Sequence, residues 1–125
     1  CTIFYLRFRK ATYFNEFMSA NMIMSVSDPR EQKRMGMNVR GFNQQKWDEV
    51  SGEIMKECLL LKFWQNRDLL RVLLQTERAT MVECSPHDRR WGIGIPRNDW
   101  RACDTREWLG ENRLGRILME VRESL

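Results

Sequence analysis

The stretch that most constrains this chain runs from Asn43 to Gln65, "NQQKWDEVSGEIMKECLLLKFWQ". Trp47, Val50, Ile54, Cys58 and Leu61 recur there at steps of three and four, the spacing that puts apolar side chains on one stripe of a helix. Asn43 supplies the start signal and the pattern ends near Gln65, so this is the longest helix the sequence predicts. The segments around it carry the same period. Phe4, Phe8 and Ala11 predict a helix over Phe4 to Phe14, Asn15 breaks it, and "EFMSANMIM" reads as a second short amphipathic helix. In "SDPREQKRMG", Asp28 is a good N-cap, Pro29 suits the first helical position, Glu31 completes a capping-box pattern, and Gly36 stands where a helix stops.

Beyond the long helix, Asn66 can cap a helix through "RDLLRVLLQ" with Leu69, Val72 and Leu73 inward, and "ATMVEC" is short, partly β-branched and reads as a strand. Asn112 or Thr105 can cap a last helix whose apolar face is Leu114, Ile117, Leu118, Val121 and Leu125. The expected fold is mainly α with a small β element, an α+β arrangement in one domain of 125 residues.

Composition excludes several classes. With 42% hydrophobic and 30% charged residues the chain is neither disordered nor fibrous. Its longest apolar run, "CLLLKFW", is broken by Lys62 and falls far short of the ~20 residues that span a bilayer. The four cysteines form no C-x-x-C pair and the single histidine cannot complete a zinc site, which reads as reduced thiols in an intracellular, cytoplasmic protein without a metal. A net charge of +4 suits anionic partners such as phosphates, and leaves nucleic acid as a weaker possibility resting on charge alone. No P-loop, dinucleotide fingerprint, zincin helix or serine nucleophile elbow is present, and nothing calls for a cofactor.

The residues suited to chemistry gather in "ECSPHDRRWGIGIPRNDW", Glu83 to Trp100, whose prolines and glycines exclude a regular helix. His87 reads as a solvated loop residue. Asp88, between a proline turn and Trp91, is the carboxylate that such a loop can hold rigid, to orient water or face a developing cation. Trp47 and Trp91 offer flat faces for a heterocycle, and Lys10, Arg34, Arg40, Arg89, Arg113 and Arg116 are candidate phosphate contacts.

Taken in order, "RKATYF" (Arg9 to Phe14), "SDPREQKRMG" (Ser27 to Gly36), "VRGFNQQKWDEV" (Val39 to Val50), "LKFWQNRDLLRVLLQT" (Leu61 to Thr76), "MVECSPHDRRWGIG" (Met81 to Gly94) and "GENRLGRILMEVR" (Gly110 to Arg122) resemble the NADAR family of YbiA-like proteins. The resemblance implies an N-glycosidase that cleaves the C–N bond between a ribose phosphate and a nitrogen heterocycle, in riboflavin-biosynthesis intermediates or ADP-ribose-related compounds. Its partner would be a small phosphoribosyl or ADP-ribosyl ligand. Carried onto matching positions, Asp88 is the catalytic or water-orienting carboxylate, Trp47 and Trp91 line the pocket, and Lys10 and Asn112 position substrate or shape the pocket wall.

Two departures stand out. The family's usual catalytic glutamate, seven residues before the lysine matched by Lys10, is replaced by Ile3, and the arginine after the glycine matched by Gly36 is replaced by Met37. With Cys1 at its start and an upstream F-S-N-F-like segment absent, the sequence reads as an N-terminally incomplete domain with impaired chemistry. The alternative is a non-catalytic module that binds ADP-ribose or a nucleotide ligand.

Overall fold

The computed structural model describes residues 2–14, 17–37 and 41–125, with side chains at 5–14, 20–35 and 41–125. The side chain of Ile3, and Asn15 and Arg40, lie outside the described residues. The described elements are α1 (Thr2–Tyr13), α2 (Phe17–Ser25), α3 (Pro29–Met37), α4 (Gln44–Gln65), α5 (Arg67–Gln75) and α6 (Arg113–Ser124), with two 3-10 turns at Trp100–Cys103 and Thr105–Glu107. The chain divides into two compact units, Cys1–Lys62 and Phe63–Leu125, with the division falling inside α4.

In the first unit α1 packs on α2 and α3, and α2 on α3. Ala11, Ala20 and Ile23 are buried at the centre of this contact, with Phe8, Phe14 and Met35 packed around them. Two alanines at the centre let the helix backbones approach closely. The start of α3 follows the sequence signal, since Asp28 Oδ1 accepts the Arg30 N–H at 3.0 Å. The reciprocal half of the capping box does not form: Glu31 instead pairs with Arg34 at 2.8 Å, one turn further on. Nor does Gly36 stop the helix, which runs to Met37.

Helix α4 starts where expected, with Asn43 Oδ1 accepting the Lys46 N–H at 3.0 Å. Its buried stripe is Trp47, Ser51, Ile54, Met55, Cys58, Leu59 and Phe63, whereas Leu61 is 44% exposed. At about 100° per residue the buried arc centres near Ser51, Met55 and Leu59, leaving Val50 and Leu61 on its margin. Glu57 ties α4 to α1, accepting from Arg9 Nη1 at 2.7 Å and from the Tyr5 hydroxyl at 3.2 Å.

In the second unit Asn66 holds the N-cap position of α5 without making the side-chain capping bond. Leu73 is the residue α5 buries; Leu69 and Val72, expected inward, are 41% and 61% exposed. A nine-residue helix followed by a turn at Thr76 has one turn's width of covered surface, so the sequence period overstates its buried face. Arg122 clamps that turn, donating from Nη1 to Thr76 Oγ1 and to the Ala79 carbonyl, each at 2.8 Å. On α6, Ile117 and Val121 are buried and Leu114 and Leu118 half-buried, but Leu125 is exposed past the helix end.

The expected strand at Ala79 to Cys84 is not found, and no strand occurs among the described residues. The segment has no regular structure, and its backbone is held by scattered partners rather than by a neighbouring strand: Arg122 at the Ala79 carbonyl, the Ile93 N–H at the Glu83 carbonyl, and the side chain of Asn112 in between. Asn112 Oδ1 accepts the Glu83 N–H and Asn112 Nδ2 donates to the Met81 carbonyl, both at 2.9 Å. β-branched residues favour an extended backbone; only a partner strand would have made it a ladder. Among the described residues no helix is long and apolar enough to cross a membrane.

Candidate functional site

Two sequence motifs of the second unit fold as one knot. The first turn of a helix leaves backbone N–H groups without intrahelical partners. Here they reach into the loop that carries Asp88. Glu111 N–H donates to the Arg89 carbonyl at 2.8 Å, Asn112 to Gly92 at 3.0 Å, Arg113 to Arg90 at 3.0 Å and Leu114 to Trp91 at 3.1 Å. The loop's carbonyls thus cap α6, and Asn112 makes no side-chain cap of its own. Its amide is free to hold the extended segment because of this exchange.

The approach is close enough to dictate glycine. A Cβ on Gly110 would collide with the Gly92 carbonyl and lie 2.8 Å from Arg89 Cα, and one on Gly115 would meet the Met81 carbonyl and the Asn112 amide. Gly94, at φ +71°, makes the turn that follows Trp91. The spacing of glycines in "WGIG" and "GENRLG" is therefore a packing requirement of the interlocked backbone.

Asp88 is seated by this knot. Its Oδ1 accepts the N–H of Arg90 and of Trp91, each at 2.9 Å, fixing the carboxylate relative to the Trp91 backbone. Oδ2 has no partner among the described residues. Asp88 and Trp91 are half-buried and His87 is exposed. Asn112, 1% exposed, uses both polar ends of its side chain inside the chain, so its contribution is to shape the loop.

Lys10 and Trp47 belong to the first unit, at the two ends of one aromatic cluster. Lys10 Nζ lies 4.2 Å from the centroid of the Phe42 ring. Phe42 meets Phe14 edge-on at 5.2 Å, Phe14 meets Tyr13 at 4.9 Å, and Tyr13 lies 6.5 Å from Trp47. Lys10 is 8% exposed and Trp47 7%. Burial, and then the charge of Arg7 one turn away, push the Lys10 ammonium down to about 8. Neither Arg7 nor Phe42 is marked by the sequence reading; the signal available was their chemistry beside Lys10, a second cation three residues earlier and an aromatic just before the α4 start. Of the other candidate phosphate contacts, Arg34 is paired with Glu31, and Arg113 with Glu111 at 3.2 Å.

The motif order that produces both constructions also marks a family. The NADAR domain model matches residues 1–125. This chain belongs to the NADAR domain family. It is 39% identical over 119 residues to an N-glycosidase, R617, of Acanthamoeba polyphaga mimivirus, covering 95% of this chain and 70% of the viral protein. It is 35% identical over 127 residues to the protein irg-1 of Caenorhabditis elegans, spanning 60% of that protein. The N-glycosidase YbiA of Escherichia coli is 35% identical over 103 residues, and the chain spans 58% of its length. The NMR structure of E. coli YbiA superposes with a TM-score of 0.78 at 31% identity, over 98% of this chain and 65% of the other. The NADAR chain described here therefore shares the YbiA fold across nearly all its residues, while it spans about three fifths of several relatives.

Proposed function

We propose that this NADAR chain is part of an N-glycosidase acting on a small phosphoribosylated or ADP-ribose-related N-glycoside. The observation that carries the reading is the Asp88 seat. The carboxylate is oriented by two backbone N–H groups and leaves one oxygen without a partner among the described residues, in a chain 39% identical over 119 residues to an N-glycosidase.

The chemistry asks for that arrangement. As the C1′–N bond lengthens, the ribose gains oxocarbenium character and its electron pair leaves with the heterocycle nitrogen. A fixed carboxylate stabilises that cation, or accepts a proton from the water that attacks C1′, without reorganising at the moment of reaction. Trp91, whose backbone N–H holds the carboxylate, is the aromatic candidate for the departing base, and the family resemblance gives Lys10 and Trp47 substrate positioning and pocket wall. Asn112 shapes the loop from behind.

Incubation with a ribosylamino-pyrimidine phosphate, following ribose 5-phosphate release, tests the reading. Release by the wild type and its loss in Asp88→Asn support hydrolysis, because the asparagine keeps the Oδ1 acceptor and removes the charge. Equal release by both would sink it. A second reading, a module that binds such a ligand without cleaving it, is favoured by Ile3 standing where the family carries a glutamate. Calorimetric binding of ADP-ribose with no turnover would select it.

A further inference from the structure

Helix α1 carries three cations within four residues, Arg7, Arg9 and Lys10, and they are treated differently. Arg9 is neutralised: Glu57 accepts from it at 2.7 Å and the Tyr5 hydroxyl accepts at 2.9 Å. Arg7 has no such partner among the described residues. Its Nε is buried and makes no hydrogen bond among the described residues. Lys10 is 8% exposed and meets the face of Phe42, again without a carboxylate. Residues three apart lie on the same side of a helix, so Arg7 and Lys10 share one face, away from the Arg9–Glu57 pair.

Withdrawing two like charges from water without an anion is unfavourable twice over, through lost hydration and through mutual repulsion. Both effects are visible at Lys10, whose ammonium is pushed down by burial first and by Arg7 second, and burial likewise lowers the Arg7 guanidinium from its usual range. The Phe42 face offsets part of this for Lys10 and nothing for Arg7. An arrangement that disfavours its own charges stands to gain most from a dianion. The Arg7 Nε–H is buried, has no hydrogen-bond partner among the described residues and belongs to a planar fork suited to two oxygens, and Lys10 adds a point charge beside it.

We infer that Arg7 and Lys10 form an anion seat for a phosphate monoester, with the Arg7 Nε–H as its directional donor. The inference deepens the N-glycosidase reading by naming the phosphate as the substrate group held by α1, and rests on that reading for the attached ribose only.

The test uses the whole chain, labelled with nitrogen-15, titrated with inorganic phosphate at constant ionic strength. The Arg7 Nε–Hε signal should move and saturate while that of Arg9 stays in place, and the Lys10 ammonium should titrate at higher pH with phosphate bound, because binding and protonation are reciprocally linked. This readout needs no variant. Arg7→Met should weaken phosphate binding by roughly tenfold or more, the loss expected for one charge-assisted bond, whereas Arg9→Met should change it by less than about twofold. Ribose 5-phosphate should bind at least as tightly as inorganic phosphate. Equal losses in the two arginine variants, identical unsaturable shifts at Arg7 and Arg9, no response at Arg7, or exclusion of ribose 5-phosphate would each overturn the inference. Turnover is not read here, so a failure to cleave in the separate glycoside assay would refute the N-glycosidase reading and leave the anion seat standing.

Discussion

Replacing Asn112 with alanine should damage this protein more than any other single truncation of a polar side chain in its second unit. The buried amide makes two bonds of 2.9 Å, accepting from Glu83 N–H and donating to the Met81 carbonyl, and nothing else satisfies those groups among the described residues. Each buried group left unpaired costs about 1–3 kcal/mol. Asn112 also sits in the left-handed region at φ +52°, which asparagine tolerates and alanine resists by about 1 kcal/mol. The combined loss is about 3–7 kcal/mol, against a total stability on the order of 5–15 kcal/mol.

Asn112→Gly separates the two contributions. It loses the same bonds but removes the backbone conflict, so it should be about 1 kcal/mol more stable than the alanine variant. Urea unfolding followed by tryptophan fluorescence measures both. An alanine variant within ~0.5 kcal/mol of wild type, the range of an uninvolved surface site, would refute the reasoning. So would a glycine variant no more stable than the alanine one.

Other outcomes follow from the same contacts. Asp88→Asn should leave the urea midpoint nearly unchanged, since Oδ1 still accepts from Arg90 and Trp91, while glycoside hydrolysis falls by roughly 10²–10⁴-fold; a matching drop in stability would make Asp88 a turn residue only. Lys10 is a cation whose folded pKa is lowered, from 10.5 to about 8, so between those values the unfolded chain binds more protons and stability should rise with pH. Carrying the charge below pH 8 costs on the order of 3 kcal/mol at most, and Lys10→Met should flatten that part of the pH–stability curve. Gly115→Ala should be strongly destabilising by calorimetry, because its Cβ would press on the Met81 carbonyl and the Asn112 amide, both backbone-anchored. Arg122→Met should loosen the Thr76 turn and raise amide exchange at Ala79, whose N–H donates to the Thr76 carbonyl at 2.8 Å.

Helix starts were legible in the sequence because they are local: Asp28 and Asn43 cap α3 and α4 through their own side chains, a few residues along the chain. What packs against a helix is not local, which is why Leu61, Leu69 and Val72 satisfy the periodicity yet face out. The missing strand has the same origin, since a ladder needs a partner strand, and what meets "ATMVEC" instead includes Asn112, some thirty positions later. The family motifs supplied Asp88, Trp91, Lys10, Trp47 and Asn112 as candidates, but not how each side chain is held. Asn112 uses both polar ends of its side chain on Met81 and Glu83, whereas Arg7, which no motif marks, has a buried Nε with no hydrogen bond among the described residues.

The interlocked loop also sets where this fold has room to change length. The Leu109 N–H donates to the Ile93 carbonyl at 2.9 Å, so the intervening chain leaves and returns at one fastened neck. Beyond that neck run two short 3-10 turns, each stapled by its own aspartate–arginine pair, Asp99 with Arg101 and Asp104 with Arg106. Lengthening such an excursion adds only about 0.6 kcal/mol of closure entropy per doubling. Insertions, tags or a grafted recognition element placed near Trp100, itself 70% exposed, should therefore leave the Asp88 seat undisturbed, while a single added residue between Asp88 and Gly92 would unfasten it.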